Sequence, residues 1–493
     1  MALLEEVGAN FGRLKLYVGG RWVDSASTTT QTAFNPAKGE AIGQVPFSLK
    51  DEVDQAVTDA EAAFHEWKDV PIVERVQCLF RMKNAFEAHL EDLSRINTQN
   101  HGKTIEESRG DMRRVIGNIE AAIAAAYTLA KGERMDQVAE GIDEGTVKEP
   151  LGVFAVVCPF NFPLMIPFWF IPYALAVGCT LVVKPSEITP IPMEWAMKII
   201  EKEVRLPSGV INLVHGGKEV VENLIAHPSI KGVTFVGSTE GAKNVYRLAG
   251  QHGKRALANG GAKNSIVVMP SARLDSSVPS ITSSFFGNAG QRCLAGANLL
   301  AVGDIHEKLV QKFVEAAKRF KLGYGLDPAV DMGPVVSEKA KARILQHVSQ
   351  GIDEGAKLIL DGTSALVKTY PEGYYVGSTI FDDVTADMSV AKSEIFGPVA
   401  SVMHTDSLDD AIETINKGTD YGNAASVFTT IGRDAREFRR RVLAGNVGVN
   451  IGVAAPLAFF PFGGMRNSFY GTLHAQIETI DFFTDRKVII EKW

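Results

Sequence analysis

A chain of 493 residues exceeds one ordinary core, which implies two to four domains of roughly 100 to 200 residues each. Hydrophobic residues at 45% and charged residues at 22% are ordinary globular usage. The net charge of −7, from 51 Lys and Arg against 58 Asp and Glu with no long basic tract, leaves a nucleic-acid partner without electrostatic footing.

In chain order, MALLEEVGAN carries Glu5 and Glu6 where a secretory signal carries positive charge, so a cytoplasmic location is expected. After Ser48, Val53, Val57, Ala60, Phe64 and Trp67 recur at three- and four-residue spacing, predicting a surface helix capped by Ser48 with Asp51. Residues 134–150, RMDQVAEGIDEGTVKEP, alternate and turn like an exposed hairpin. From 152 to 238 short apolar runs alternate with helical patterns, which implies βαβ units and a parallel sheet covered on both faces. Within them residues 164–183, LMIPFWFIPYALAVGCTLVV, are long enough for a membrane span. Pro167, Pro172 and Gly178 instead divide them into a buried helix, a stop and a buried strand, so no membrane partner is expected. Alternation resumes from NSIVVMP through GNVGVNIG, enough for a second α/β unit. The closing TIDFFTDRKVIIEKW alternates again, and with the 134–150 hairpin it predicts strands that seek a neighbouring subunit.

Several short motifs carry chemistry. Gly237 and Ser238 in FVGSTEGAK close a strand and open a helix, where free N–H groups accept a pyrophosphate; glycine there is also a simple turn. Lys184 and Glu187 of KPSE follow the strand TLVV at the carboxyl edge of the sheet. A carboxylate there accepts ribose hydroxyls and repels a 2′-phosphate, favouring NAD. The prolines of PFNFP stiffen the backbone around Asn161, whose amide suits a developing oxyanion. The four cysteines, Cys78, Cys158, Cys179 and Cys293, lack CxxC spacing, so neither a disulfide framework nor a thiolate metal site is expected. Cys158 and Cys179 read as small buried hydrophobes. Cys293, in GNAGQRCLAG, sits among small residues that leave room for a substrate, with Arg292 or nearby N–H groups expected to favour its thiolate.

PFNFP, KPSE, FVGST, GQRC, SEIFGPV (393–399) and PFGG (461–464), in that order over nearly the whole chain, resemble the aldehyde dehydrogenase superfamily. The resemblance implies an α/β architecture of two doubly wound parallel-sheet domains plus a small β oligomerisation arm. On that pattern residues 1–130 and 151–258 bind NAD, 259–450 form the catalytic domain, and 131–150 with 473–493 form the arm of a homotetramer or homodimer. It further implies that Cys293 is the nucleophile and that Asn161 with the Cys293 N–H forms the oxyanion hole. By the same token Phe160, Lys184, Glu187, Gly237, Ser238, Glu394 and Phe396 hold the cofactor. Ala242 stands where glycine commonly follows FVGST, with Gly241 one place early, so a shifted pyrophosphate contact is expected.

The superfamily's deacylating glutamate lies in an ELGGK segment; here the segment reads RALANGGAKN. Counting back from Lys263, its position holds Asn259, or Ala258 if one residue is skipped, and neither takes a proton. Water needs such a base, whereas a thiol ionises readily and attacks thioesters unaided. With its VGSTxxxKxVY and GGAKN surroundings, the chain resembles the CoA-acylating methylmalonate-semialdehyde dehydrogenases. This implies oxidation of malonate or methylmalonate semialdehyde, loss of CO2 and release of acetyl- or propionyl-CoA. The substrate carboxylate would be held by Arg114 or Arg292, although Arg113 and Arg114 also read as solvated helix charges, and REFRRR (436–441) as an exposed helix face. Two alternatives stay open: hydrolysis with Glu394 as an improvised base, and a catalytically silent nucleotide-binding protein.

Overall fold

A computed structural model describes residues 3–493; Met1 and Ala2, which open the N-terminal segment assigned to NAD binding, lie outside the described residues. Its larger sheet has eight strands. Five are parallel, in the spatial order Ile211–Leu213, Thr180–Lys184, Val153–Val157, Ile230–Val236 and Arg255–Asn259. Of these five, Val153–Val157 comes first in the chain and is central, and the winding reverses between it and Ile230–Val236. Such a reversal leaves a crevice beyond the carboxyl ends. Short antiparallel strands flank the five, Leu16–Val18 on one side and Phe469–Tyr470 on the other.

Both faces are covered, as the continuous apolar runs require. Val153, Ala155 and Val157 pack with Val53, Val57 and Ala60 of the helix Lys50–Trp67 and with Ala242 and Val245 of the helix Thr239–Gln251. Phe154 and Val156 point the other way, into a core with Met82, Phe86, Met112 and Phe168. The 164–183 stretch forms the short buried helix Ile171–Val177, ended by Gly178, and then the strand Thr180–Lys184. Among the described residues no helix is long and apolar enough to cross a membrane.

The second sheet runs Lys357–Leu360, Thr379–Asp382, Val399–Thr405, Gly296–Val302, Asn264–Val268, Ala424–Phe428, Asn446–Val449, and all but the first strand are parallel. It has its own core around Phe285, Phe286, Phe313 and Phe381. Arg134–Ala139, Ile142–Pro150 and Thr484–Lys492 pair in a separate antiparallel sheet that leaves Met135, Val488 and Ile490 exposed.

Two elements differ from their sequence patterns. Leu49, not Ser48, is the N-cap of the first long helix: Glu52 Oε2 accepts from Leu49 N–H at 2.8 Å, while Ser48 Oγ accepts from the distant His215 N–H at 3.2 Å. Local spacing cannot reveal that competing partner. The closing segment starts as a helix, Thr479–Phe483, because Ile480, Phe482 and Phe483 are all buried against the main core before the strand begins.

Candidate active site

The carboxyl edge of the first sheet faces the amino edge of the second. Val157, Lys184 and Val236 end their strands, and the residues after them line a cavity of about 720 Å³. Cys293, Glu394 and Asn423 lie on the other side, each just before a strand of the second sheet. Cys293 lines this cavity together with Phe160, Asn161, Lys184, Glu187, Gly237, Ser238, Glu394 and Phe396, so the eight positions picked out from four separate motifs come together with the thiol.

Lys184 is the last residue of its strand and is buried; its Nζ donates to Gly216 O at 2.7 Å and to Glu187 Oε2 at 3.0 Å. That leaves the second carboxylate oxygen of Glu187 for a ligand. Ser238 caps the helix Thr239–Gln251, Oγ accepting from Gly241 N–H at 3.2 Å, and its neighbours leave the helix N-terminus facing the cavity. Ala242 is buried in the core behind it, so the cavity wall there is formed by Gly237, Ser238 and Gly241. These residues fit a dinucleotide: an anion-accepting helix end, a carboxylate for a ribose, and a volume in the range of small-molecule sites.

The loop before Cys293 is held in a costly conformation. Asn288 (φ 54°), Ala289 (φ 50°) and Gly290 (φ 70°) are all left-handed, and Phe396 (φ 53°) across from them is too. A side chain on Gly290 would collide with Gly397 O, so only glycine lets the cysteine loop and the IFGP segment approach. Gly261 lets the Glu394 carboxylate approach the backbone closely, since a Cβ there would press on Oε2. Asn264 and Asn423 each donate to the Cys293 carbonyl, at 2.8 and 2.7 Å. Arg343 lines the cavity and donates to Ile395 O at 3.0 Å. These three escaped the sequence reading; the only signal was Asn264 next to Lys263 in the quoted AKN.

The thiol's neighbours in sequence do pull toward thiolate, but burial and a nearby carboxylate outweigh them. Burial and the adjacent Glu394 push Cys293 up to about 12, against the pull of the Cys293 and Leu294 N–H groups and Arg292. Arg292 is weak in that role because Glu107 Oε1 accepts from its Nη2 at 2.7 Å. Glu394 is itself pushed up to about 7 by burial, with Oε1 accepting from Ala262 N–H at 2.8 Å.

Asn161 is buried. Its Nδ2 donates to Gln291 O at 3.0 Å, which leaves the second N–H without a partner among the described residues. Asn259 closes the strand Arg255–Asn259, buried, and neither side-chain polar atom has a partner among the described residues. Ala258 is fully buried as well, so in either register no ionisable side chain occupies the deacylation position.

Cys293 also lines a second cavity of about 290 Å³, and both candidate arginines open into it. Its lining combines apolar Phe162, Met165, Trp169 and Phe462 with charged Arg114, Arg292, Glu107, Lys103 and Asp111. Arg113 is exposed, whereas Arg114 turns inward and donates to Pro456 O at 2.9 Å. Burial lowers the Arg114 pKa and, among the described residues, no carboxylate pairs with it. Arg436, Arg439, Arg440 and Arg441 lie on an exposed helix face away from both cavities.

A profile described as the aldehyde dehydrogenase family matches residues 22–489. The chain is similar to malonate-semialdehyde dehydrogenase 2 of Geobacillus kaustophilus, with 43% identity over 481 residues covering 97% of this chain and 99% of that one. Among solved structures it resembles methylmalonate-semialdehyde dehydrogenase from Oceanimonas doudoroffii, at 36% identity, TM-score 0.96, covering 98% and 99% of the two chains. A Sinorhizobium meliloti structure complexed with NAD and assigned as a methylmalonate-semialdehyde dehydrogenase matches at 35% identity and TM-score 0.95, covering 98% of each chain.

Proposed function

The chain belongs to the aldehyde dehydrogenase family, and from that premise we propose that it oxidises malonate or methylmalonate semialdehyde with NAD and delivers the acyl group to coenzyme A with loss of CO2. The substrate carboxylate pairs with Arg114, the guanidinium without an acid of its own, and the aldehyde carbon lies toward Cys293 at the junction of the two cavities. The Cys293 sulfur forms a bond to that carbon, and the oxygen anion is received by the free N–H of Asn161 and the N–H of Cys293. NAD, when bound, supplies removal of hydride from that carbon, which leaves a thioester on sulfur. Lys184 and Glu187 hold the adenosine ribose, Gly237 and Ser238 the pyrophosphate, and Phe160, Glu394 and Phe396 the nicotinamide end.

The β-carboxylate then leaves as CO2; its bonding electrons pass to the α-carbon as a thioester enolate, which takes up a proton. A CoA thiolate adds to the carbonyl, and the Cys293 thiolate departs. One observation carries this choice of acceptor: the deacylation position holds the buried amide of Asn259, which cannot activate water. Retention of Cys293, Asn161 and the Lys184–Glu187 pair argues against a silent nucleotide-binding protein.

We further assign the enzyme to the cytoplasm and to a homotetramer or homodimer joined through the exposed three-stranded sheet, with the domain division at 130, 150, 258, 450 and 473 expected from sequence. The test of the function is direct. Malonate semialdehyde and NAD without CoA should give a burst of NADH equal to the enzyme present and an acyl adduct on Cys293 in the intact-mass spectrum. A linear NADH trace with no adduct contradicts it.

A further inference from the structure

We propose that His101–Gly102–Lys103 clasps Phe160–Asn161–Phe162, making Lys103 the positioning residue for the oxyanion amide. The inference rests on the role given above to Asn161. Lys103 occupies the break between the helices Leu90–His101 and Ile105–Thr128, and its backbone is fixed from both sides. Gly102, in the left-handed region at φ 98°, ends the first helix, and Thr104 caps the second by accepting from Glu107 N–H. Ile105 N–H donates to Gly325 O at 2.8 Å, and the Gly102 and Lys103 carbonyls press on Gly333 and Gly325, which binds the break to the catalytic side.

From that anchored point three contacts reach the PFNFP segment. The buried His101 ring stacks on Phe160, centroids 6.2 Å apart and planes 17° from parallel. Lys103 Nζ donates to the Asn161 carbonyl at 2.7 Å and lies 4.2 Å from the centre of the Phe162 ring. Asp111 Oδ2 accepts from the same ammonium at 2.6 Å and from Asn97 Nδ2 at 3.1 Å, so the charge is paired where the Lys103 side chain has no exposure at all.

Replacing a whole buried ion pair by apolar groups is frequently neutral for stability, whereas removing one partner alone is costly. What an apolar side chain cannot supply is the bond to the Asn161 carbonyl. That bond sets the peptide on which the amide turns, and a donor must be aimed within a fraction of an ångström to stabilise an oxyanion.

The test is a double-mutant cycle read by stopped-flow NADH formation with malonate semialdehyde. Lys103→Met should slow the burst about 10- to 100-fold, less than or comparable to loss of a donor itself, with the Kd for NAD unchanged. In the Asn161→Ala background the same change should cost little, within about 2-fold, because the amide it positions is gone. Lys103→Met/Asp111→Asn leaves no orphaned carboxylate and carries the same comparison if the single variant fails to fold. An unchanged burst, or an equal fold-loss with and without Asn161, overturns the clasp; a wild-type enzyme with no burst overturns the function instead.

Discussion

Replacing Arg114 by alanine should abolish the preference for carboxylated aldehydes and leave the oxidation chemistry intact. The guanidinium is half-buried, bonded to one carbonyl, Pro456 O at 2.9 Å, paired with no acid among the described residues, and it lines the same cavity as Cys293. A hydrogen bond to a charged partner contributes about 1.5–3 kcal/mol. At about 1.4 kcal/mol per factor of ten, its loss lowers kcat/KM for malonate semialdehyde roughly 10- to 150-fold. Propanal has no carboxylate to hold, so its kcat/KM should stay within about 3-fold. NADH absorbance with saturating NAD and CoA reads both. An equal loss on the two aldehydes would assign Arg114 a structural role, and no loss on either would remove it from recognition. Arg292 gives the contrast: because Glu107 already takes its charge, Arg292→Ala should depress both substrates alike.

Cys293→Ala should eliminate both NADH formation and the acyl adduct, whereas the same change at the buried Cys158 or Cys179 should leave an adduct in place. Asn259→Glu should create CoA-independent turnover, read as NADH beyond the burst and as free acid, since it returns a proton acceptor to the strand end. In the cofactor-free enzyme, alkylation of Cys293 by iodoacetamide should rise about tenfold per pH unit between roughly pH 7 and 10 without a plateau, because a thiol pushed up to about 12 gains thiolate throughout that window. Glu394→Gln should accelerate alkylation above pH 7, where the neighbouring carboxyl, titrating at about 7, would otherwise be charged and oppose the thiolate. A plateau below pH 8, or no response to Glu394→Gln, contradicts the electrostatics described for the site.

Which features were readable from the chain follows from how local their causes are. Apolar runs of a few residues between helical patterns marked both parallel sheets, because burial on two faces leaves few polar positions in a central strand and none in Val153–Val157. Gly178 and the prolines divided the 164–183 stretch correctly for the same reason, each acting on its own backbone. Cys293, Asn161, Lys184 and Glu187 stood out because their motifs are short and contiguous. Ser48 misled because its partner, the His215 N–H, arrives from the distant loop after the strand Ile211–Leu213. The pairing that takes up Arg292 was hidden because Glu107 lies 185 positions away. Asn264, Asn423 and Arg343 passed unremarked because an amide or guanidinium reveals its acceptor only once the loops it holds have been brought together.

The identity of the acyl acceptor decides between the thiolytic and the hydrolytic reaction. Steady-state NADH formation from malonate semialdehyde, followed with and without CoA while acetyl-CoA and free acid are quantified, tests it most directly. The amide at 259 predicts turnover that stops after the burst until CoA is added, with acetyl-CoA then matching NADH. Full-rate turnover without CoA, releasing free acid, would contradict it.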